Sequence, residues 1–105
     1  MPNPLIIHNY YVPKVGEGIA MRTALQQQDV IWREHGLPGF QLLKPYDGPH
    51  HAMITVQRWD SFAQWDETRH SVPKIPEARA LVFDVLYPLT ASPYQTTMFE
   101  EIPNS

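Results

Sequence analysis

Proline frames this chain more tightly than any other residue. Eleven of the 105 residues are proline, about twice the ordinary usage of ~5%. A proline lacks a backbone N–H and has a fixed φ, so it is kept out of helix interiors and central strands. Pro4, Pro13, Pro38, Pro73, Pro76, Pro88 and Pro93 therefore mark boundaries, and the segments between them are the candidate elements. Hydrophobic residues make up 43% of the chain and charged residues 18%, a balance too apolar for disorder. The prolines thus punctuate one compact domain, 1–105, with no repeat or low-complexity stretch.

Leu5 to Val12 (LIIHNYYV) is rich in β-branched and aromatic residues, which predicts a strand. Leu5, Ile7, Asn9 and Tyr11 share one face; Ile6, His8, Tyr10 and Val12 share the other. The proline-free stretch from Val15 to His35 reads as a helix, with Met21, Ala24, Leu25, Gln28, Ile31, Trp32 and His35 near helical spacing. Gly36 follows as the expected residue just past its end. Phe40 to Tyr46 and His51 to Trp59 predict an antiparallel hairpin around an Asp47-Gly48 turn. Asp60 or Ser61 can cap a helix starting at Phe62. Pro76 then suits the first position of a further helix, with Ala78, Leu81, Val82, Val85 and Leu86 as its apolar face and Pro88 as its stop. Tyr94 to Ile102 is the last strand.

The expected order is therefore βαββαβ with a split second helix, a ferredoxin-like α+β fold with an antiparallel sheet. A chain this short buries only about 65% of its unfolded surface, so any deep pocket must be small or completed by a second subunit. Both faces of the first strand are apolar, and helices can cover only one. The expectation is a homodimer packed sheet to sheet.

Eight Lys and Arg against eleven Asp and Glu give a net charge of −3, without the basic patch of a nucleic-acid binder. The lack of cysteine removes thiolate nucleophiles, disulfides and Cys-ligated metals. No apolar run is long enough to span a membrane. Met1-Pro2-Asn3-Pro4 carries no positive charge or apolar stretch, so no signal peptide is expected and a cytoplasmic protein is the default. No glycine-rich phosphate loop, dinucleotide fingerprint or Ser-His-Asp arrangement occurs. The adjacent His50-His51 pair diverges on a strand and makes a poor chelate, so no metal site is expected.

Three stretches carry a resemblance. Arg33-Glu34-His35-Gly36 runs into Leu37-Pro38-Gly39-Phe40; Ile54-Thr55-Val56-Gln57-Arg58-Trp59 ends a strand; Asp60-Ser61-Phe62-Ala63-Gln64-Trp65 opens a helix with F-x-x-W. With these the chain resembles the dimeric α/β-barrel superfamily, in particular its antibiotic-biosynthesis-monooxygenase-like and NIPSNAP-like domains. The resemblance implies two protomers forming a barrel, each with a ligand pocket between sheet and helices. Members include cofactor-independent oxygenases of aromatic polyketides, haem-degrading oxygenases, isomerases and cyclases.

Asn9 is a polar residue on an apolar strand face, and a buried amide must be hydrogen-bonded. In the resembling oxygenases an Asn on this strand stabilises an enolate or oxygen species, which would make Asn9 catalytic beside Tyr11 on the same face. His70, in a loop, is the candidate general base, as its pKa class lies near neutrality. Trp65 occupies the F-x-x-W position that lines the family pocket, with Phe62, Ile7 and Arg69 as its neighbours in ligand binding. The expected reading is a cofactor-free monooxygenase-like enzyme, or a cyclase or isomerase, acting on a small apolar, aromatic or polyketide-like ligand. Haem binding or degradation is the alternative, and a non-enzymatic ligand-binding or stress-related module is the third. In the haem-degrading members an axial His lies about ten residues beyond the tryptophan; here that position holds Ile75, with His70 only five residues on.

Overall fold

The computed structural model describes residues 2–46 and 52–104. Four strands, β1 (Leu5–Tyr11), β2 (Phe40–Leu43), β3 (Met53–Trp59) and β4 (Gln95–Glu100), form one sheet in the order β2-β3-β1-β4, every pairing antiparallel. Helix α1 (Gly18–Glu34) joins β1 to β2; α2 (Phe62–Thr68), a 3₁₀ turn (Val72–Lys74), α3 (Pro76–Ala80), a π-helical turn (Leu81–Leu86) and α4 (Tyr87–Leu89) join β3 to β4. This is the expected ferredoxin-like α+β arrangement. The Asp47-Gly48 turn and His50-His51 lie outside the described residues.

α1 ends where Gly36 takes φ 74°. Leu37 N–H donates to the Trp32 carbonyl at 3.0 Å and Gly36 N–H to Arg33 at 3.1 Å, the paired bonds of a Schellman motif. Asp29 then accepts from Phe40 N–H at 2.8 Å and from Arg33 at 2.9 Å, which locks the start of β2 to the helix. Ser61 caps α2 by accepting from Gln64 N–H at 3.1 Å. Pro76 opens α3 with Glu77 in its first turn.

The expected stop at Pro88 is not where the helix ends; the helical path continues through Pro88 to Leu89. The π turn just before it supplies the reason. A proline has no N–H for the carbonyl four residues back, and a wider turn absorbs that misfit. It also changes which side chains go inside. Leu81 and Leu86, five residues apart, would diverge by roughly 140° on an α-helix, yet both are buried. Val85, expected on the apolar face, is left 38% exposed.

All helices pack on one face of the sheet. Met21, Ala24, Leu25, Met53, Leu81 and Leu86 form the main core at the end of the sheet where β1 leaves. Leu5, Ile7 and Trp59 form a second core under Trp32, Leu37 and Trp65 at the other end. The opposite face carries Ile6, His8, Tyr10, Ile54, Val56, Leu43 and the 46%-exposed Phe99, and no described element covers it.

Candidate functional site

Between the two cores the helices stand off the sheet and leave a cavity of about 320 Å³. β1 contributes Asn9 and Tyr11, while β3 contributes Thr55 and Gln57. α1 contributes Leu25, Gln28 and Trp32. The far wall is the helical segment from Ala78 and Arg79 to Tyr87, and Thr90 and Tyr94 close one end. The Pro13–Thr90 bridge and the bond from Ala91 N–H to the Val12 carbonyl, 2.8 Å, hold that end against the exit of β1.

Several polar groups of the lining are already committed. Gln57 donates to the Pro38 carbonyl at 2.8 Å and accepts from the Trp59 indole at 2.9 Å. Thr90 is bonded to the Tyr87 carbonyl. Asn9 Oδ1 accepts from the Thr96 hydroxyl of the neighbouring strand at 2.6 Å, so the group Asn9 has left to offer is its Nδ2 amide. Sheet register produces this pair, because Asn9 faces Thr96 on one side and Thr55 on the other.

Two groups are not committed. Gln28 is 5% exposed; its Nε2 donates to the Ala78 carbonyl at 3.3 Å, but its Oε1 is buried without a partner. Trp32 Nε1, one turn further along α1, is likewise buried and unpaired. Such groups cost about 1–3 kcal/mol each when left unmet. An unpaired acceptor and an unpaired donor thus lie close together on one helix face, buried just behind the cavity wall that Gln28 and Trp32 help to form.

Burial, chiefly, and then the neighbouring Tyr94 and Tyr87 phenols push the Tyr11 hydroxyl well above its usual range, against an opposing hydrogen bond with Thr55. Burial and Tyr87 push Tyr94 upward as well. Both are therefore neutral O–H donors at physiological pH and not bases. Arg79 is the one charged side chain of the described lining; its guanidinium lies 5.5 Å from the Phe83 ring centroid. No described carboxylate pairs with it.

Of the residues expected at the site, the structure brings Asn9 and Tyr11 together and places the others elsewhere. Ile7 is buried in the second core beneath Trp65. α2 lies along that end of the sheet, so Trp65 covers core rather than cavity. Phe62 is exposed beside it, ring centroids 5.5 Å apart. Arg69 stacks on Trp65 at 5.2 Å and pairs with Asp66. His70 is exposed after α2, two residues ahead of Val72 in the wall, and its side chain does not line the cavity. Gln28, Trp32 and Arg79 were missing from the expected site. Gln28 had a readable signal: a polar side chain inside the apolar stripe Met21-Ala24-Leu25.

The described lining offers haem no axial ligand: it holds no His or Met, and its Tyr11 and Tyr94 phenols are pushed away from ionisation rather than towards it. A larger groove of about 440 Å³ beside Ile19, Arg22 and Lys44 contains no unpartnered buried polar atom among the described residues. No described cluster of His, Asp and Glu could hold a metal ion, and no described helix is long and apolar enough to cross a membrane.

No family model and no curated protein sequence matches the chain. Solved structures do. One, from Nitrosomonas europaea, is named provisionally as an antibiotic biosynthesis monooxygenase; it superposes at TM-score 0.76 with 12% identity, over 100% of this chain and 96% of that one. A NIPSNAP family protein from Agrobacterium tumefaciens gives 0.80 and 14%, over 100% and 91%. A NIPSNAP-like domain protein from Burkholderia xenovorans gives 0.81 and 11%, over 100% and 90%. The likeness is one of fold, and both groups named by the sequence resemblance recur in it.

Proposed function

We propose that the chain is a homodimeric α/β-barrel enzyme that draws a small, flat, apolar molecule, aromatic or polyketide-like, into the cavity between sheet and helices. There it carries out oxygenation without a bound cofactor, or the related proton-transfer chemistry of a cyclase or isomerase. The observation that carries the reading is the cavity itself: apolar walls with Asn9, Tyr11, Gln28 and Trp32 converging on one space. A mostly apolar pocket with a few placed polar groups is the usual form of a small-molecule site. The apolar outer face of the sheet supports the dimer, since an exposed patch of this kind marks an association surface.

The Asn9 amide and the Tyr11 hydroxyl serve as donors to oxygen atoms that gain charge as an enolate forms. Fixed donors of this type act without reorganisation, and losing one typically costs 10²–10³ in rate. The electron-rich enolate then passes an electron to dioxygen, and the carbon and the reduced oxygen join as a hydroperoxide that takes a proton from solvent. Loss of water, with the remaining C–H proton, leaves a new carbonyl, so that one CH2 and one O2 become one C=O and one H2O. The test is oxygen consumption with 1,8-dihydroxyanthrone under air. Acceleration over the uncatalysed rate is expected, with a fall of about 10²-fold in Asn9→Ala. No acceleration with this or other cyclic enolisable ketones refutes oxygenation; binding without turnover marks a ligand-binding module instead.

A further inference from the structure

Taken together, the uncommitted polar groups of the cavity are unbalanced. The Asn9 amide, the Tyr11 hydroxyl and the Arg79 guanidinium can donate, and the unpaired Trp32 indole N–H lies buried behind them, while Gln28 Oε1 is the one unpartnered buried acceptor among the described residues. The described lining holds no carboxylate, imidazole or amine to take a proton. Arg79, exposed where it lines the cavity, has no described carboxylate partner, and its guanidinium lies over the Phe83 ring. A neutral phenol or enol entering this space brings one more donor into a set already rich in them. Its conjugate base brings acceptors that match several donors at once, and a cation besides. Spreading the charge over a flat ring also lowers the cost of desolvation, which a localised carboxylate would bear in full.

We propose that the cavity selects its ligand as a preformed, delocalised oxyanion, a phenolate or enolate on a flat apolar frame, rather than as the neutral acid. Asn9 and Tyr11 meet it from the sheet and Arg79 from α3, with the Trp32 side chain packed beside it on α1. The ligand's own acidity then supplies the ionisation for which the site holds no base, and activity follows the ligand's pKa. This inference rests on the cavity being the ligand site proposed above.

Para-nitrophenol tests it, because its free pKa lies near neutrality and its phenolate absorbs separately from the acid. The intact protein is titrated with the probe from pH 5 to 9, while the indole N–H resonance of Trp32, assigned with Trp32→Phe, is followed by NMR. Bound probe should ionise at least one pH unit below free probe, a tenfold preference for the anion. Arg79→Gln should remove most of that shift and Arg79→Lys should keep part of it. A bound probe that ionises at or above its free value, with the Trp32 resonance still moving, overturns anion selection and leaves the site standing. Absence of binding at millimolar probe, or binding that leaves the Trp32 resonance still, overturns the site itself.

Discussion

Replacing Gln28 by leucine should stabilise the protein, although Gln28 is buried and hydrogen-bonded. Its bond to the Ala78 carbonyl is long, 3.3 Å, and is worth about 0.5–1 kcal/mol at most. That carbonyl is not orphaned by the change, because it also accepts from a backbone N–H at the end of α3. On the other side of the balance, Gln28 Oε1 is buried without a partner, which costs about 1–3 kcal/mol. Leucine has a similar volume and adds apolar contact with the neighbouring core, another ~1 kcal/mol. The net expectation for Gln28→Leu is a gain of about 1–3 kcal/mol, or a rise of roughly 4–8 °C in Tm per kcal/mol for a domain of this size. Urea unfolding of both proteins, at one fixed concentration because association also stabilises, measures it. The variant should at the same time lose the lining's one free buried acceptor. A loss of more than 1 kcal/mol would refute the reasoning, since Oε1 would then have a partner in the folded state.

Gly39→Ala should destabilise by about 1–3 kcal/mol in the same assay, because an added Cβ meets the Asp29 carboxylate and the Arg33 stem and breaks the lock on Phe40. Val56→Arg, on the open face of the sheet, should shift the protein from dimer to monomer in sedimentation equilibrium; an unchanged mass would refute a sheet-to-sheet dimer. Tyr11 holds its proton in the folded state beyond the usual tyrosine range, so the unfolded chain ionises first as pH rises through about 10. Stability should therefore fall with pH from there upward, and Tyr11→Phe should flatten that fall in unfolding curves taken at increasing alkaline pH.

Proline punctuation and side-chain alternation were enough to read the element order, because both act locally: a missing N–H interrupts a ladder in most surroundings, Pro88 being the exception that a π turn absorbs. The hydroxyl of Ser61 and the freedom of Gly36 were legible for the same reason. The site was less so. Asn9 and Tyr11 could be found because a strand's two-residue period fixes which face they share. Trp65 could not be placed by its motif, because F-x-x-W sets a helix start and not the end of the sheet on which that helix lands. Arg79 reads as a solvent-facing helical residue and is exposed in the structure, and nothing local says that it also lines the cavity, over the Phe83 ring. Val85 was misplaced by a register change that only the packing of Leu81 and Leu86 against α1 reveals.

That register change has a consequence for how this fold tolerates changes in length. In an ordinary helix, losing one residue rotates everything beyond it by about 100°, and the buried face turns outward. The π turn from Leu81 to Leu86 already stores one residue more than an α-helical path needs. Removing a residue between these leucines would leave them four apart and still on one side. The wall of the cavity thus contains the place where a single-residue deletion does least harm, and where chains of this architecture can differ in length without surrendering their core.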